Sequence, residues 1–146
     1  RDLAPLIAQE YIHASRNVYR VMVLDGTVVQ GVVKKSRHWK CTGTFVHGDA
    51  PIFHVPPPLA EMCVKIARVT NLPLCGIDLM RKGNTWVALE ANSCPGMDFV
   101  KQDMAHLYER LISYLVHWAN ARKEAVRSAY ADAIETELPL VVVPRA

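Results

Sequence analysis

The stretch Gly76-Ile77-Asp78-Leu79-Met80-Arg81-Lys82-Gly83-Asn84-Thr85-Trp86-Val87-Ala88-Leu89-Glu90-Ala91-Asn92-Ser93-Cys94-Pro95-Gly96 decides how this chain is read. Two apolar segments flank Gly83-Asn84-Thr85, and Gly and Asn supply the positive φ angles of a short hairpin loop. Asp78 and Glu90 are twelve residues apart, so a hairpin in which they face each other turns at their midpoint, Asn84. Residues directly opposite across an antiparallel pair have Cβ atoms ~5 Å apart, and Glu90 and Asn92, two apart, share one strand face. Ser93-Cys94-Pro95-Gly96 then ends the second strand sharply.

Two carboxylates and an amide oxygen converge in this hairpin. Such a hard-oxygen set suits Mg²⁺ or Mn²⁺, which share their remaining coordination with water and phosphate. Leu74, Ile77, Leu79, Val87 and Leu89 make both strands apolar. Acids among them are expected to be partly desolvated and to need a partner such as a metal. The plainer expectation makes Asp78 a strand-end residue and Glu90 a solvated one.

Working outward, Val18 to Leu24 meets Asp25-Gly26, a strong hairpin signal, and Thr27 to Lys34 returns as a β-branched strand. Pro56-Pro57-Pro58 opens a helix expected from about Leu59 to Thr70, with Leu59, Met62, Cys63, Ile66 and Ala67 at helical spacing and Asn71-Leu72-Pro73 as its stop. Asp103 is expected to cap a long amphipathic helix to roughly Ala133, with Leu107, Leu111, Tyr114, Leu115, Trp118 and Ala121 as its apolar stripe. Ile7 to Ile12 reads as a short strand, Arg37 to Asp49 as a loop with ligand-contact potential, and Leu138 to Val143 as an edge strand or a disordered tail. The elements predict an α+β fold, a mostly antiparallel sheet with packed helices and a long C-terminal helix. Residues 1–102 form the expected domain, and 103–146 a helix and tail packed on it or extending it.

A chain of 146 residues with 51% hydrophobic and 21% charged content is large enough for one cored domain. No apolar run approaches the roughly 20 residues of a membrane span. Arg1-Asp2-Leu3 lacks both an initiator Met and a signal pattern, the expectation being a fragment or a processed product. Cysteines at 41, 63, 75 and 94 have no Cys-x-x-Cys spacing, which fits reduced cytoplasmic thiols. Lys34, Lys35, Arg37 and Lys40 concentrate the charge of a chain with net charge +3 and are expected to line a solvated strand edge. No aromatic interleaving or nucleic-acid module accompanies them, so neither nucleic acid nor membrane is an expected partner. The six histidines share no short spacing, which argues against zinc, and Cys94 has no basic neighbour at a fixed spacing to activate it as a nucleophile.

The order Gln9-Glu10-Tyr11-Ile12, Tyr19-Arg20-Val21-Met22-Val23, Asp25-Gly26, Gly76-Ile77-Asp78 and Glu90-Ala91-Asn92-Ser93-Cys94-Pro95-Gly96 resembles the C-terminal half of an ATP-grasp domain. It is most similar to the glutamate-ligase and glutathione-synthetase-like branch that includes ribosomal-protein glutamate ligase, over about residues 6 to 100. The resemblance implies a carboxylate-amine ligase that uses ATP with Mg²⁺ or Mn²⁺ and joins a carboxylate substrate to an amino acid or peptide amine through an acyl phosphate. It implies adenine against Gln9, Glu10, Tyr11 and Ile12, phosphate or intermediate on Arg20, an assisting point charge from Lys34 or Lys35, and a phosphate or substrate contact from Lys40. Asp78, Glu90 and Asn92 are the implied metal ligands.

Relatives often carry Asp where this chain has Val18, and a glycine-rich turn where it has Thr42-Gly43-Thr44-Phe45, so the substrates stay open. Nothing corresponds to the N-terminal lobe that closes such a site, so that lobe is an implied partner, as is a possible homo-oligomer. Two other readings stand beside the ligase. One is a nucleotide-binding or interaction module without turnover; the other is a structural domain whose basic stretch docks on an acidic protein.

Overall fold

The computed structural model describes residues 10–12, 17–35, 50–97 and 99–137. The elements run β1 (Asn17–Leu24), β2 (Thr27–Lys35), α1 (Pro57–Val69), β3 (Leu74–Lys82), β4 (Thr85–Asn92), a 3₁₀ turn at Lys101–Asp103 and α2 (Met104–Glu137). The four strands form one sheet in the order β2-β1-β3-β4, antiparallel at every pairing. The expected α+β architecture is therefore observed. Residues 10–12 carry no strand, in contrast to the expected Ile7–Ile12 strand, and the rest of that segment lies outside the described residues. The expected loop Arg37–Asp49 and tail Leu138–Val143 also lie outside them.

Both hairpins turn where glycine permits it. Asp25 and Gly26 both have positive φ, 47° and 71°, as a type I′ loop requires. In the second hairpin Gly83 alone has positive φ, 59°, the pattern of a type II′ loop.

Helix α1 starts on prolines whose fixed φ suits its first turn, with Leu59 and Ala60 donating to the Pro56 carbonyl. It ends in a Schellman motif. Asn71 takes φ 55°, its N–H bonds the Arg68 carbonyl, and the Leu72 N–H bonds the Ala67 carbonyl. Leu59, Cys63 and Ala67 of α1 pack with Val21, Val23, Cys75, Ile77 and Leu79 to form the main core on one sheet face.

The opposite face carries Arg20, Met22, Asp78 and Met80, all buried. Phe99 and Val100 pack against Val32 on β2. At the sheet edge, Phe53 donates to the Gly31 carbonyl and Val33 to the Pro51 carbonyl, so residues 51–53 run along β2. Gly31 is required there, because a Cβ would lie 2.3 Å from the Phe53 carbonyl oxygen.

By contacts the chain divides into two compact units, one ending at Leu107 and one beginning at Tyr108. The first holds the sheet and α1, and Leu107 is buried in it. The second carries most of α2, where Ile112, Leu115, Val116 and Trp118 are exposed. The stripe expected to be core or partner-facing is thus core only at its start. No described helix is long and apolar enough to cross a membrane. Asp103, expected as the cap of α2, uses its carboxylate to accept a 2.9 Å bond from Gln30 Nε2 and so ties the start of α2 to β2.

Candidate functional site

Two strand irregularities build the polar sheet face. In the β3-β4 pair, Leu79 faces Ala88 but Asp78 faces Glu90, which leaves Leu89 looped out as a bulge. Without it, alternation would place Glu90 and Asn92 on the side packed against α1. The bulge turns both onto the side of Asp78. The β1-β2 pair does the same at Val29, since Val23 faces Val28 while Met22 faces Gln30. That shift carries Gln30, Val32 and Lys34 to the same face. One cross-strand row therefore runs Val32, Arg20, Asp78, Glu90 through all four strands.

Asp78 is the hub of this row. Arg20 grips it as a fork, Nε to Oδ1 at 2.7 Å and Nη2 to Oδ2 at 2.8 Å, and Lys34 Nζ donates to Oδ2 at 2.7 Å. Arg20, Lys34 and Asp78 are all buried, Lys34 to 3% exposure. A bidentate guanidinium is the strongest neutral-pH partner available to a carboxylate in this setting. Phe99 covers both cations, with Arg20 Cζ 5.2 Å and Lys34 Nζ 5.7 Å from its ring centroid. Burial by itself raises the Asp78 carboxyl, but the bonds from Arg20 and Lys34 outweigh it and hold the group below the usual carboxylate value. Burial pulls the Lys34 ammonium below the ordinary lysine value despite its bond to Asp78.

These contacts correct three expectations. The partner that the buried Asp78 needs comes from the chain itself, as Arg20 and Lys34. Lys34 is not on a solvated edge, because the Val29 bulge turns it inward. Glu90 is exposed rather than desolvated, because it stands on the edge strand β4.

Glu90 and Asn92 do share a face: Asn92 Nδ2 donates to Glu90 Oε1 at 3.1 Å and to the Gly76 carbonyl at 3.4 Å. Gly76 sits beside the end of this site, where a Cβ would lie 2.5 Å from Pro95 Cβ. Among the described residues no cluster of three His, Cys, Asp or Glu side chains could hold a metal ion. The donor set here is two carboxylates and an amide, flanked by two cations.

Of the other predicted residues, Glu10 pairs with Lys82 at the end of β3, while Tyr11 is 54% exposed. The Lys82 contact lowers the Glu10 carboxyl below its usual value. Lys82 is four residues from Asp78 on the same strand face, roughly 13 Å along the strand. Ile12 is partly buried, and Gln9 and Lys40 lie outside the described residues. Sequence reasoning missed Phe99 and Gln30, which had no motif around them; the only available signal was an aromatic residue just after Pro95-Gly96. Cys63, Cys75 and Cys94 are free thiols, and burial first, then Cys75, pushes Cys63 up to about 12.

A twisted antiparallel sheet that buries a fork-bound carboxylate between two cations, with a second carboxylate opposite, defines a face able to accept a compound anion together with its counter-cation. The chain belongs to the RimK-like ATP-grasp family, whose model matches residues 3–115. It is 27% identical over 100 residues to a probable alpha-L-glutamate ligase of Hydrogenovibrio crunogenus, covering 67% of this chain and 33% of that protein. A protein of the same name from Alkalilimnicola ehrlichii is 29% identical over 99 residues, covering 66% and 33%. The chain thus spans about a third of the length of these relatives. Among solved structures, the ATP-grasp ligase PsnB complexed with minimal precursor superposes with a TM-score of 0.54 at 17% identity, covering 70% of this chain and 36% of that one. That likeness supports the fold.

Proposed function

We propose that this chain is the C-terminal part of an ATP-dependent carboxylate-amine ligase, with residues 1–102 as its lobe of the nucleotide site and 103–146 as a helix and tail packed on it or extending it. In this reaction class a substrate carboxylate oxygen attacks the γ-phosphorus and ADP leaves. An amine nitrogen then attacks the acyl carbon, expelling phosphate and giving up a proton. The observation that carries the reading is the facing pair Asp78 and Glu90, set beside Arg20 and Lys34 on one sheet face. Asp78, Glu90 and Asn92 would hold Mg²⁺ or Mn²⁺, which when bound neutralises charge on the phosphates. The residues fit that cation as part of a complex: two carboxylates offset by two buried cations make a site of no net charge, suited to a dication that arrives with phosphates.

Arg20 would orient phosphate or the acyl phosphate with its planar fork, and Lys34 would act as a point charge. The span from the Glu10-Lys82 pair to Asp78 is on the length scale of an extended nucleoside triphosphate, in keeping with adenine near Gln9 to Ile12. Lys40 is the remaining candidate phosphate contact, and the N-terminal lobe of a longer chain would close the site. Calorimetric titration of the full-length protein with a nonhydrolysable ATP analogue tests the proposal. Binding should depend on Mg²⁺; no binding with or without Mg²⁺ would sink it.

A further inference from the structure

We infer that the cavity at the β2 bulge is a binding site for a small aliphatic ammonium group, distinct from the Asp78 row. The cavity, of about 410 Å³, lies along the β2 edge where the chain leaves it after Phe53, and it reaches Asp103 at the start of α2. Val29, Ile52, Phe53 and Val55 give it apolar walls, and Gln30 and Asp103 supply adjoining polar groups, with Gln30 Nε2 donating to Asp103 Oδ2 at 2.9 Å. That bond fixes the amide. An ionised carboxylate only accepts, so the Gln30 N–H faces Asp103 and Oε1 points away from it. Gln30 is 5% exposed, and its Oε1 is buried and finds no donor among the described residues. A buried acceptor left unpaired costs free energy that an incoming donor recovers.

The lining selects the class of ligand. Gln30 Oε1 and the Asp103 carboxylate both accept, and Asp103 adds a negative charge, so an anion is repelled and a charged N–H donor is favoured. A dication fits poorly, because the apolar walls would strip its water without replacing it, and no cluster of three His, Cys, Asp or Glu side chains among the described residues could hold a metal. An ammonium on an aliphatic stem satisfies both parts, with N–H groups toward the two oxygens and methylenes along the valines. Water alone would be a small occupant, since one molecule takes about 30 Å³. The Val29 bulge creates the arrangement by turning Gln30 off the α1 side, as bulges do beside binding sites. Gln30 then stands in the cross-strand row Gln30, Met22, Gly76, Asn92, next to the row of Arg20 and Asp78. The cavity adjoins the proposed nucleotide face and shares neither Asp78, Glu90 nor Arg20 with it.

The test uses the full-length protein and n-butylammonium, titrated by NMR chemical shift, with n-butanol and butyrate as its neutral and anionic counterparts. Wild type should bind n-butylammonium saturably and roughly ten-fold or more tighter than n-butanol, the difference expected of charged hydrogen bonds, and should not bind butyrate. Gln30→Met, which keeps the stem without the acceptor oxygen, and Asp103→Asn, which removes the charge, should each weaken n-butylammonium by roughly ten-fold. Ile52→Lys places a tethered ammonium on the cavity wall and should abolish binding by competing for the site. Ile52 is 56% exposed, so this variant carries the test if the other two do not fold. Glu90→Gln, on the far edge of the sheet, should leave the affinity unchanged. Absence of saturable binding by wild type, equal affinity for n-butanol, unchanged affinity in Ile52→Lys, or loss of binding in Glu90→Gln overturns the inference and leaves the proposed function standing.

Discussion

Asp78 faces Glu90 directly across the β3-β4 hairpin because Leu89 is looped out of the ladder between Glu90 and Ala88. The two acids nevertheless live in different surroundings, one buried against Arg20 and Lys34, the other exposed on an edge strand. Substitution at Asp78 should therefore lower stability and function together, and substitution at Glu90 function alone.

Asp78→Ala leaves the Arg20 and Lys34 charges buried without their shared anion. Removing one partner of a buried ionic group typically costs about 3–5 kcal/mol. Urea unfolding of Asp78→Ala should show a loss in that range. A loss under about 1 kcal/mol would mean that the trio is hydrated in solution and contributes little to the fold.

The same group sets an acid limit. The folded-state pKa of Asp78 is depressed, so the stability it contributes is fully present above its unfolded value, about 3.9, and is lost as pH falls through the lower folded value. The stability gap between wild type and Asp78→Asn, measured by urea midpoints, should be constant from pH 7 to 5 and shrink below about pH 4. A gap unchanged down to pH 2.5 would contradict the depressed value.

Gly76 contributes by absence of a side chain. A Cβ at that position would lie 2.5 Å from Pro95 Cβ, and Gly76 also pairs with Asn92 in the ladder. Gly76→Ala should cost about 1–3 kcal/mol, the usual range for overpacking. It should also weaken any ligand that depends on Asn92. Unchanged thermal stability would show that the Ser93-Gly96 turn can shift freely.

Much of the hairpin was legible because its signals are local. Asp25-Gly26 and Gly83-Asn84 name their own turns, and the spacing of Asp78 and Glu90 anticipated the observed facing pair. The midpoint at Asn84 was half a residue beyond the centre of the Gly83-Asn84 loop, and the Leu89 bulge accounts for the difference. What the sequence could not yield was the partnership of Asp78 with Arg20 and Lys34, which lie 58 and 44 residues away. Nothing local says that β3 joins β1, or that Val29 is looped out so that Lys34 turns inward. The acid's need for a partner was correctly read, but the partner was supplied by strand order. The burial of α1 followed its 3.6-residue period, whereas the apolar stripe of α2 remains exposed beyond its first turns, because periodicity reports a face and not what covers it.

Glu90→Gln is the test that separates chemistry from architecture. The side chain is exposed, and its contact is an Asn92 bond that a glutamine oxygen can still accept. Its removal should therefore stay within about 0.5 kcal/mol of wild-type stability, as for most exposed sites. The charge, however, is half of the anionic pair proposed to hold the dication, and an amide oxygen is a far weaker ligand than a carboxylate. In the full-length protein, nucleotide-dependent release of ADP should fall by at least a hundred-fold while the unfolding curve is unchanged. Retained turnover would remove Glu90 from the site, and a parallel loss of stability would make it a structural residue instead. The contrast with Asp78, where stability and function should fall together, follows from a one-residue bulge that puts both acids on one face and a strand order that leaves only Glu90 on the sheet edge.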